Sequence, residues 1–301
     1  MINGIKIFDC FKFFTEKELL HLRFMEYYDV VDYFVIVEAT KTQTGLPHTP
    51  IFKSLKPKFE KYLDKVIHVV VEDMPRFSKD NIWVAENFQR NCILRGLKGI
   101  AKEGDAIIVS DCDEFWNRDK VKEFVGKPYP IVFIHNLFHF YMNAKRSYMW
   151  RGSCYAPYGL LTPQEMRNYS RLFRGGVVTK IGNYHYSALG GAATMQVRAN
   201  SLCEGDPNMK INFEMTSNSI NNLLNLEGQI GILVGQFRLE GPKSIKEFRK
   251  LYPNLFFSNY YIMILSHIRK IIYKLKIFFN FKLLIKDTKT YLLKLFDLEV
   301  V

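Results

Sequence analysis

The stretch GDAIIVSDCDEFW, residues 104–116, sets Asp111, Asp113 and Glu114 directly behind an apolar run. Three carboxylates so close repel one another and are costly to bury unless something neutralises them. Two carboxylates separated by one residue at a strand end can reach one hard cation. Magnesium and manganese favour oxygen ligands and bridge a few protein carboxylates to substrate phosphates. The spacing predicts a Mn2+ or Mg2+ site on Asp111 and Asp113, in which the metal neutralises the cluster and holds an anionic ligand. Phosphatases of the haloacid-dehalogenase type also place Asp-x-Asp after an apolar strand, with the first Asp as nucleophile. They normally carry Thr or Val two residues past the second Asp, near the N-terminus. Here that residue is Phe115, a third of the way along the chain, so transfer from a nucleotide sugar fits better.

The surrounding sequence predicts the elements that must position these groups. IKIFD (5–9), DYFVIVEA (32–39), KVIHVVVED (65–73) and AIIVS (106–110) read as strands, the second apolar on both faces. Thr15 and Glu18 have capping-box spacing ahead of a helix over 16–28. Apolar residues at 85, 88, 92, 93, 96, 97 and 100 have helical spacing and predict one helix. Strands alternating with helices indicate an α/β fold with a mostly parallel sheet, whose ligands bind outside the carboxyl ends of the strands. Glu38, the Glu72–Asp73 pair and Asp111 to Glu114 all follow strands, which predicts one acidic edge. Glu38 and Thr40, at the end of the second strand, are positioned for a nucleoside, with a strand-end turn role as the alternative. Beyond residue 126, PIVFIHNLFHFYMN is strand-like and leads into an aromatic, loop-rich region to about 206; 207–240 is polar and patternless.

The chain has 301 residues, is 48% hydrophobic and 24% charged, and carries a net charge of +12. That is ordinary globular composition with ample core. Five cysteines without a CxxC pair fit neither a zinc site nor a disulfide scaffold and suggest a reducing compartment. The first residues show no apolar stretch of signal-peptide length, so the expectation is a cytoplasmic chain, free or lying on a membrane surface. Residues 241–301 hold 12 Lys and Arg against 4 Asp and Glu. There Leu265, Ile268, Ile272, Leu275 and Phe279 recur at helical spacing among Arg269, Lys270, Lys274 and Lys276. No stretch is long and charge-free enough to span a bilayer. Two readings stay open: a helix lying on a membrane surface, or one packed on the sheet with a lysine-rich outer face. The lysines lie on one apolar helix without a recognisable nucleic-acid module, which argues against nucleic acid. A non-catalytic protein that binds membrane surfaces or polyanions on a transferase-like fold is the alternative of a different class.

Several ordered blocks resemble glycosyltransferase family 17. They are residues 8–45, FQRNCILRGL (88–97), IIVSDCDEF (107–115), WRGS (150–153) and GNYHYSALGG (182–191). The resemblance covers roughly residues 5–205. It implies a GT-A fold, a UDP-sugar donor (N-acetylglucosamine best matching the family), a glycan acceptor, a divalent metal and inversion at the anomeric carbon. It implies a catalytic domain, taken here as 1–240, with a nucleotide half to about 125 and an acceptor half after it; the basic helical extension over 241–301 is read from its charge and spacing and matches nothing in the family. Carried onto this chain, Asp111 and Asp113 become the metal and diphosphate motif. His185 matches a family histidine and becomes a metal ligand or diphosphate contact, with a structural hydrogen-bonding role as its alternative. Arg90 becomes a diphosphate or uridine contact, or a helix-surface arginine. For the general base, Glu204 is the first candidate; Glu114 is the second and could instead orient the motif. Trp150, Tyr155 and Tyr158 could stack on an acceptor sugar, since aromatic faces cover apolar sugar faces. Tyr184 stands where the family has Trp, and Trp116–Asn117 where a proline is usual.

Overall fold

The computed structural model describes residues 1–172, 177–179, 182–224, 233–236 and 238–284. The strands are β1 (Ile7–Lys12), β2 (Tyr33–Ala39), β3 (Val66–Val71), β4 (Ala106–Asp111), β5 (Glu114–Phe115), β6 (Ile131–His139), β7 (Ala144–Pro157), β8 (Val177–Thr179), β9 (Tyr184–Ser187) and β10 (Leu233–Gly235). The helices are α1 (Lys17–Tyr27), α2 (Phe52–Leu55), α3 (Val84–Asn91), α4 (Ile93–Leu97), α5 (Val121–Phe124), α6 (Pro163–Leu172), α7 (Gly191–Ser201), α8 (Phe213–Asn221), α9 (Ile245–Leu251) and α10 (Tyr260–Leu284).

One sheet runs through the protein in the order β3-β2-β1-β4-β7-β6-β9-β5, with β10 beside β7 and β8 beside β6. The first four strands are parallel. β7 then runs antiparallel to both β4 and β6, and β9 lies parallel to β6. The α/β class holds, but the sheet is mixed rather than mostly parallel. The two halves drawn from sequence share it, because β4 hydrogen-bonds to β7.

Side-chain alternation sorts the parallel half into two cores. Ile7, Phe11, Phe34, Ile36 and Ile108 face α1 through Leu20 and Phe24. Phe8, Cys10, Val35, Val37, Ile107 and Val109 face α3, α4 and α6 through Ala85, Ile93 and Met166. Gly96 lets α4 ride low on the sheet, since a Cβ there would lie 2.7 Å from Val35 Cγ1. Asp9 falls on the α1 side and is fully buried; Arg23 of α1 meets it with paired bonds of 2.6 Å. The same guanidinium donates to the carbonyls of Asp111, Cys112 and Glu114 and to Ser110 Oγ. This buried pair therefore props the acidic turn from beneath.

Four local expectations change. Thr15 makes no cap bond; Glu16 takes the N-cap position, and its Oε2 accepts from the amides of Phe14 and Thr15 at 3.1 and 3.0 Å. The single helix over the 85–100 repeat breaks at Cys92, whose amide is shared between the carbonyls of Phe88 and Gln89, leaving short α3 and α4. The supposed loop region after 126 holds the 14-residue β7, α6, β9 and α7. Lys145, Arg146 and Arg151 interrupt the apolar pattern of β7, so its length does not show in the sequence. In 207–240, α8 and β10 are present, while 225–232 and 237 lie outside the described residues, as does 285–301 of the basic extension.

Candidate functional site

At the carboxyl ends of β1, β2 and β4 lies a cavity of about 310 Å³. Lys12, Glu16, Lys41, Glu86 and Asp111 to Asp113 line it from the parallel half; Trp150, Arg167, Arg171, His185, Arg198 and Glu204 close it from the other elements. The cavity thus opens at the strand ends where ligands of open α/β sheets bind.

Within the acidic turn, the chain's own cations neutralise two of the three carboxylates. Arg167 of α6 donates to Asp111 Oδ2 at 2.6 Å and to both Glu114 oxygens at 2.9 and 3.1 Å. Asp111 Oδ1 also lies 3.4 Å from Arg90 and 3.6 Å from Lys12. Burial alone would raise the pKa of Asp111; Arg167, Lys12 and Arg90 outweigh it and hold it well below the usual carboxylate range. Glu114 is completely buried and accepts from Trp150 Nε1 and the amide of Asp111. Burial raises its pKa too, but Arg167 brings it to about 2. Glu86 is held down in the same way, burial being outweighed by Lys12 at 2.6 Å and Arg90 at 2.5 Å. Asp111 and Glu114 thus meet cations of the chain itself, beside the metal expected from sequence.

Asp113 stays open. It lines the cavity, and its ion-pair partner among the described residues is His185 Nε2 at 3.3 Å. Burial pushes the His185 pKa down, but Asp113, Glu114 and Asp111 reverse that and raise it. His185 Nδ1 is buried and has no hydrogen-bond partner among the described residues. Glu16 is the nearby second carboxylate; burial first and Asp113 second raise its pKa. No group of three His, Cys, Asp or Glu suited to caging a metal exists among the described residues. A carboxylate on the cavity wall is the oxygen ligand that Mg2+ or Mn2+ takes, and substrate phosphates and water would have to supply the rest of the shell.

The cavity wall is rich in cations. Arg171 lies 5.6 Å from the Trp83 ring and 5.7 Å from that of Trp150, and Trp150 stands 5.1 Å from His185. Among the described residues no carboxylate pairs with Lys41, Arg171 or Arg198. An anionic ligand would meet them without breaking an ion pair.

Of the residues singled out from sequence, Asp111, Asp113, His185, Trp150 and Glu204 meet in the cavity. Arg90 and Glu114 sit directly behind it, on Asp111 and Arg167. Glu114 has no open face and a depressed pKa, so it orients the turn rather than accepting a proton. Glu38 faces the opposite core, where it accepts from the amides of Ile51 and Phe52 and lies 2.8 Å from His68 Nε2. Thr40 shares that parity and bonds to Val71, while its neighbours Ala39 and Lys41 line the cavity. Tyr155 is fully buried, with its hydroxyl on Lys127 and Gly126. Tyr158 pairs with Gly104 and Asp105 at the amino end of β4, the far end from Asp111. Asp73 turns outward to Arg95, so the third strand adds nothing to the acidic edge. Lys12, Glu16, Glu86, Arg167, Arg171 and Arg198 were not foreseen. The i,i+4 spacings Arg167/Arg171 and Glu86/Arg90 were the signals available, since each puts two charges on one helix face.

Gly152 shows how closely this assembly is fitted. A Cβ there would lie 2.7 Å from Glu114 Cδ and 2.9 Å from His135 Cε1. Gly152→Ala is expected to displace Glu114 and destabilise the fold by about 1–3 kcal/mol, as overpacking does. Urea denaturation at pH 7 checks it; an unchanged midpoint would show that the strand yields freely.

The fold is α/β, with a cavity of mixed charge at its parallel strand ends in which Lys41, Arg171 and Arg198 carry no carboxylate partner among the described residues. The chain belongs to glycosyltransferase family 17, whose family model matches residues 2–155. It is 31% identical over 126 residues to the human beta-1,4-mannosyl-glycoprotein 4-beta-N-acetylglucosaminyltransferase and 30% identical to the mouse protein of the same name. The matched segment is 39% of this chain but 24% of the human protein and 23% of the mouse one. The chain thus matches about a quarter of those relatives' length.

Proposed function

We propose that this protein transfers a sugar, N-acetylglucosamine as the relatives' names suggest, from a UDP-sugar to a glycan hydroxyl with inversion, using Mg2+ or Mn2+. The observation that carries the reading is Asp113: it faces a cation-lined cavity while Arg167 and its companions hold Asp111 and Glu114. Lys12, Lys41, Arg171 and Arg198 receive the diphosphate. The Trp150 ring offers a flat apolar face to a sugar. Asp113 would hold the divalent ion, with Asp111 and His185 as its neighbours; the ion when bound stabilises the charge on the leaving diphosphate as a Lewis acid. The acceptor hydroxyl attacks the anomeric carbon on the face opposite UDP and loses its proton to a carboxylate. A phosphatase nucleophile at Asp111 fits less well, because both its oxygens are engaged by cations.

Glu204 and Glu16 are the cavity carboxylates without a lysine, arginine or histidine partner among the described residues. Glu204 is exposed and free to meet an acceptor; Glu16 is tied to two amides. Glu204→Gln is expected to lower kcat by about 10²–10⁴-fold, the usual contribution of a general base, with donor KM little changed, whereas Glu16→Gln retains most turnover. A screen of UDP-sugars for UDP release, with mass analysis of the product, identifies the donor and reads both variants. Full turnover by Glu204→Gln would remove it as base. Silence with every UDP-sugar would sink the donor assignment.

A further inference from the structure

α10 carries two faces of different character. Its inner face packs on the body through Met263 and Ser266; Ser266 Oγ accepts from the Gly235 amide, His267 Nε2 lies 2.9 Å from the Gly235 carbonyl, and Arg269 donates to the Asn222 carbonyl. A Cβ at Gly235 would lie 2.7 Å from Met263 Cγ, so the approach is close. The outer face is the unusual one. Tyr261, Ile264, Ile268, Ile271, Ile272 and Leu275 follow helical spacing and are all exposed, Ile271 by 59%. From Ile271 to Leu275 every residue is exposed, so the helix there stands off the body. Of the apolar stripe read from sequence, Ile268, Ile272 and Leu275 are exposed rather than packed on the sheet, while Leu265 is half-buried.

An exposed apolar stripe on a soluble body marks an interaction surface. The charge on this helix selects the partner. Residues 260–284 contain Arg269, Lys270, Lys274, Lys276 and Lys282 and no Asp or Glu. A second copy would bring the same uncompensated positive charge against itself. Nucleic acid would answer the lysines but leave the isoleucines and tyrosines in water. An anionic bilayer answers both, since apolar side chains enter the headgroup boundary while lysines meet lipid phosphates. No helix among the described residues is long and apolar enough to cross a membrane, so the helix lies along the surface.

We propose that the outer face of α10 docks the protein on an anionic lipid bilayer. The test is co-sedimentation of the full chain with vesicles of phosphatidylcholine alone and of phosphatidylcholine mixed with phosphatidylglycerol. Binding is expected on the mixed vesicles, weakening as salt is added, and much less on the neutral ones. Two variants at exposed residues dissect it: Ile268→Ser/Ile271→Ser/Ile272→Ser removes the apolar contribution, and Lys274→Glu reverses a charge. Each is expected to weaken binding by roughly tenfold or more, given the strength of lysine attraction to anionic surfaces, with the thermal melt retained. Equal binding to both vesicle types, or wild-type binding by both variants, overturns the proposal. So does size-exclusion chromatography showing a vesicle-free dimer that the isoleucine variant dissolves, which would make a second copy the occupant.

Discussion

Asp113→Ala is expected to abolish sugar transfer, by on the order of 10²–10³-fold or more, the range seen when one electrostatic stabiliser of developing charge is removed, while leaving the protein folded. The two halves of that expectation come from different observations. Asp113 faces the cavity, so its loss removes the open carboxylate where the leaving diphosphate would gain charge. Yet its ion-pair partner among the described residues is His185 alone, and that partner can adapt. Asp113 is first among the groups that lift the His185 pKa against the lowering effect of burial. Without it, His185 is free to go neutral, and no stranded charge remains. Glu114 and Asp111, in contrast, keep Arg167, so the turn stays in place. Turnover is read as UDP release with Mn2+. Thermal melts with and without Mn2+ plus UDP separate binding from folding, since a ligand that binds only the native state raises Tm. Wild type should gain stability from the pair, and the variant should not. Turnover by Asp113→Ala at the wild-type rate would sink the metal and diphosphate assignment, whatever became of the fold.

What the sequence reveals of this arrangement depends on how each residue is held. β1, β2 and β4 are legible because both faces are buried: Phe8, Val35 and Val109 serve one core and Ile7, Ile36 and Ile108 the other, leaving near-continuous apolar runs. The position of the site follows from those runs, since Asp111 to Asp113 must emerge where β4 stops. Side-chain parity decides more than strand-end acidity does. Glu38 ends a strand as Asp111 does, but its neighbours Val37 and Ala39 face the α3 core, so Glu38 points the other way. The family-like blocks prove spatially coherent: Arg90 touches Asp111, Trp150 touches Glu114, Gly152 makes room for Glu114, and His185 lies opposite Glu114 in the β5–β9 register. Such blocks mark the layer that supports the acidic turn as much as the groups that would touch substrate. Pairing of charges across the chain is the illegible part. Arg167 is 53 residues from Glu114, in a stretch that reads from sequence as aromatic and loop-rich. Only the tertiary fold shows which cation meets which carboxylate, and hence that Asp113 is the one left open.

That pairing makes Arg167→Met the variant with the largest expected effect on stability. Arg167 and Glu114 are both buried, and the guanidinium spans Glu114 and Asp111. Removing one member of a buried ion pair strands the other, which typically destabilises by about 3–5 kcal/mol. Two controls distinguish stranded charge from lost packing. The first is Arg167→Met/Glu114→Gln, which removes the stranded carboxylate while keeping nearly the same shape, and is expected to recover part of the loss. The second is pH. In the wild type, burial acts to raise the Glu114 pKa, and Arg167 brings it to about 2 against an ordinary 4.5. A depressed carboxylate contributes stability that is present above its unfolded pKa and is lost as pH falls toward the folded value. In Arg167→Met, burial acts with its main opponent gone and the pKa rises, so protonation relieves the strain as pH falls. The stability gap between variant and wild type, measured by urea denaturation, should therefore narrow between pH 7 and about 4.5. A gap that is small at pH 7, or that stays constant with pH and is not relieved by Glu114→Gln, would mean that the acidic turn draws its neutralisation from elsewhere. Lys12 and Arg90, which reach Asp111 but lie outside the bonds made by Glu114, would then be the groups to remove next.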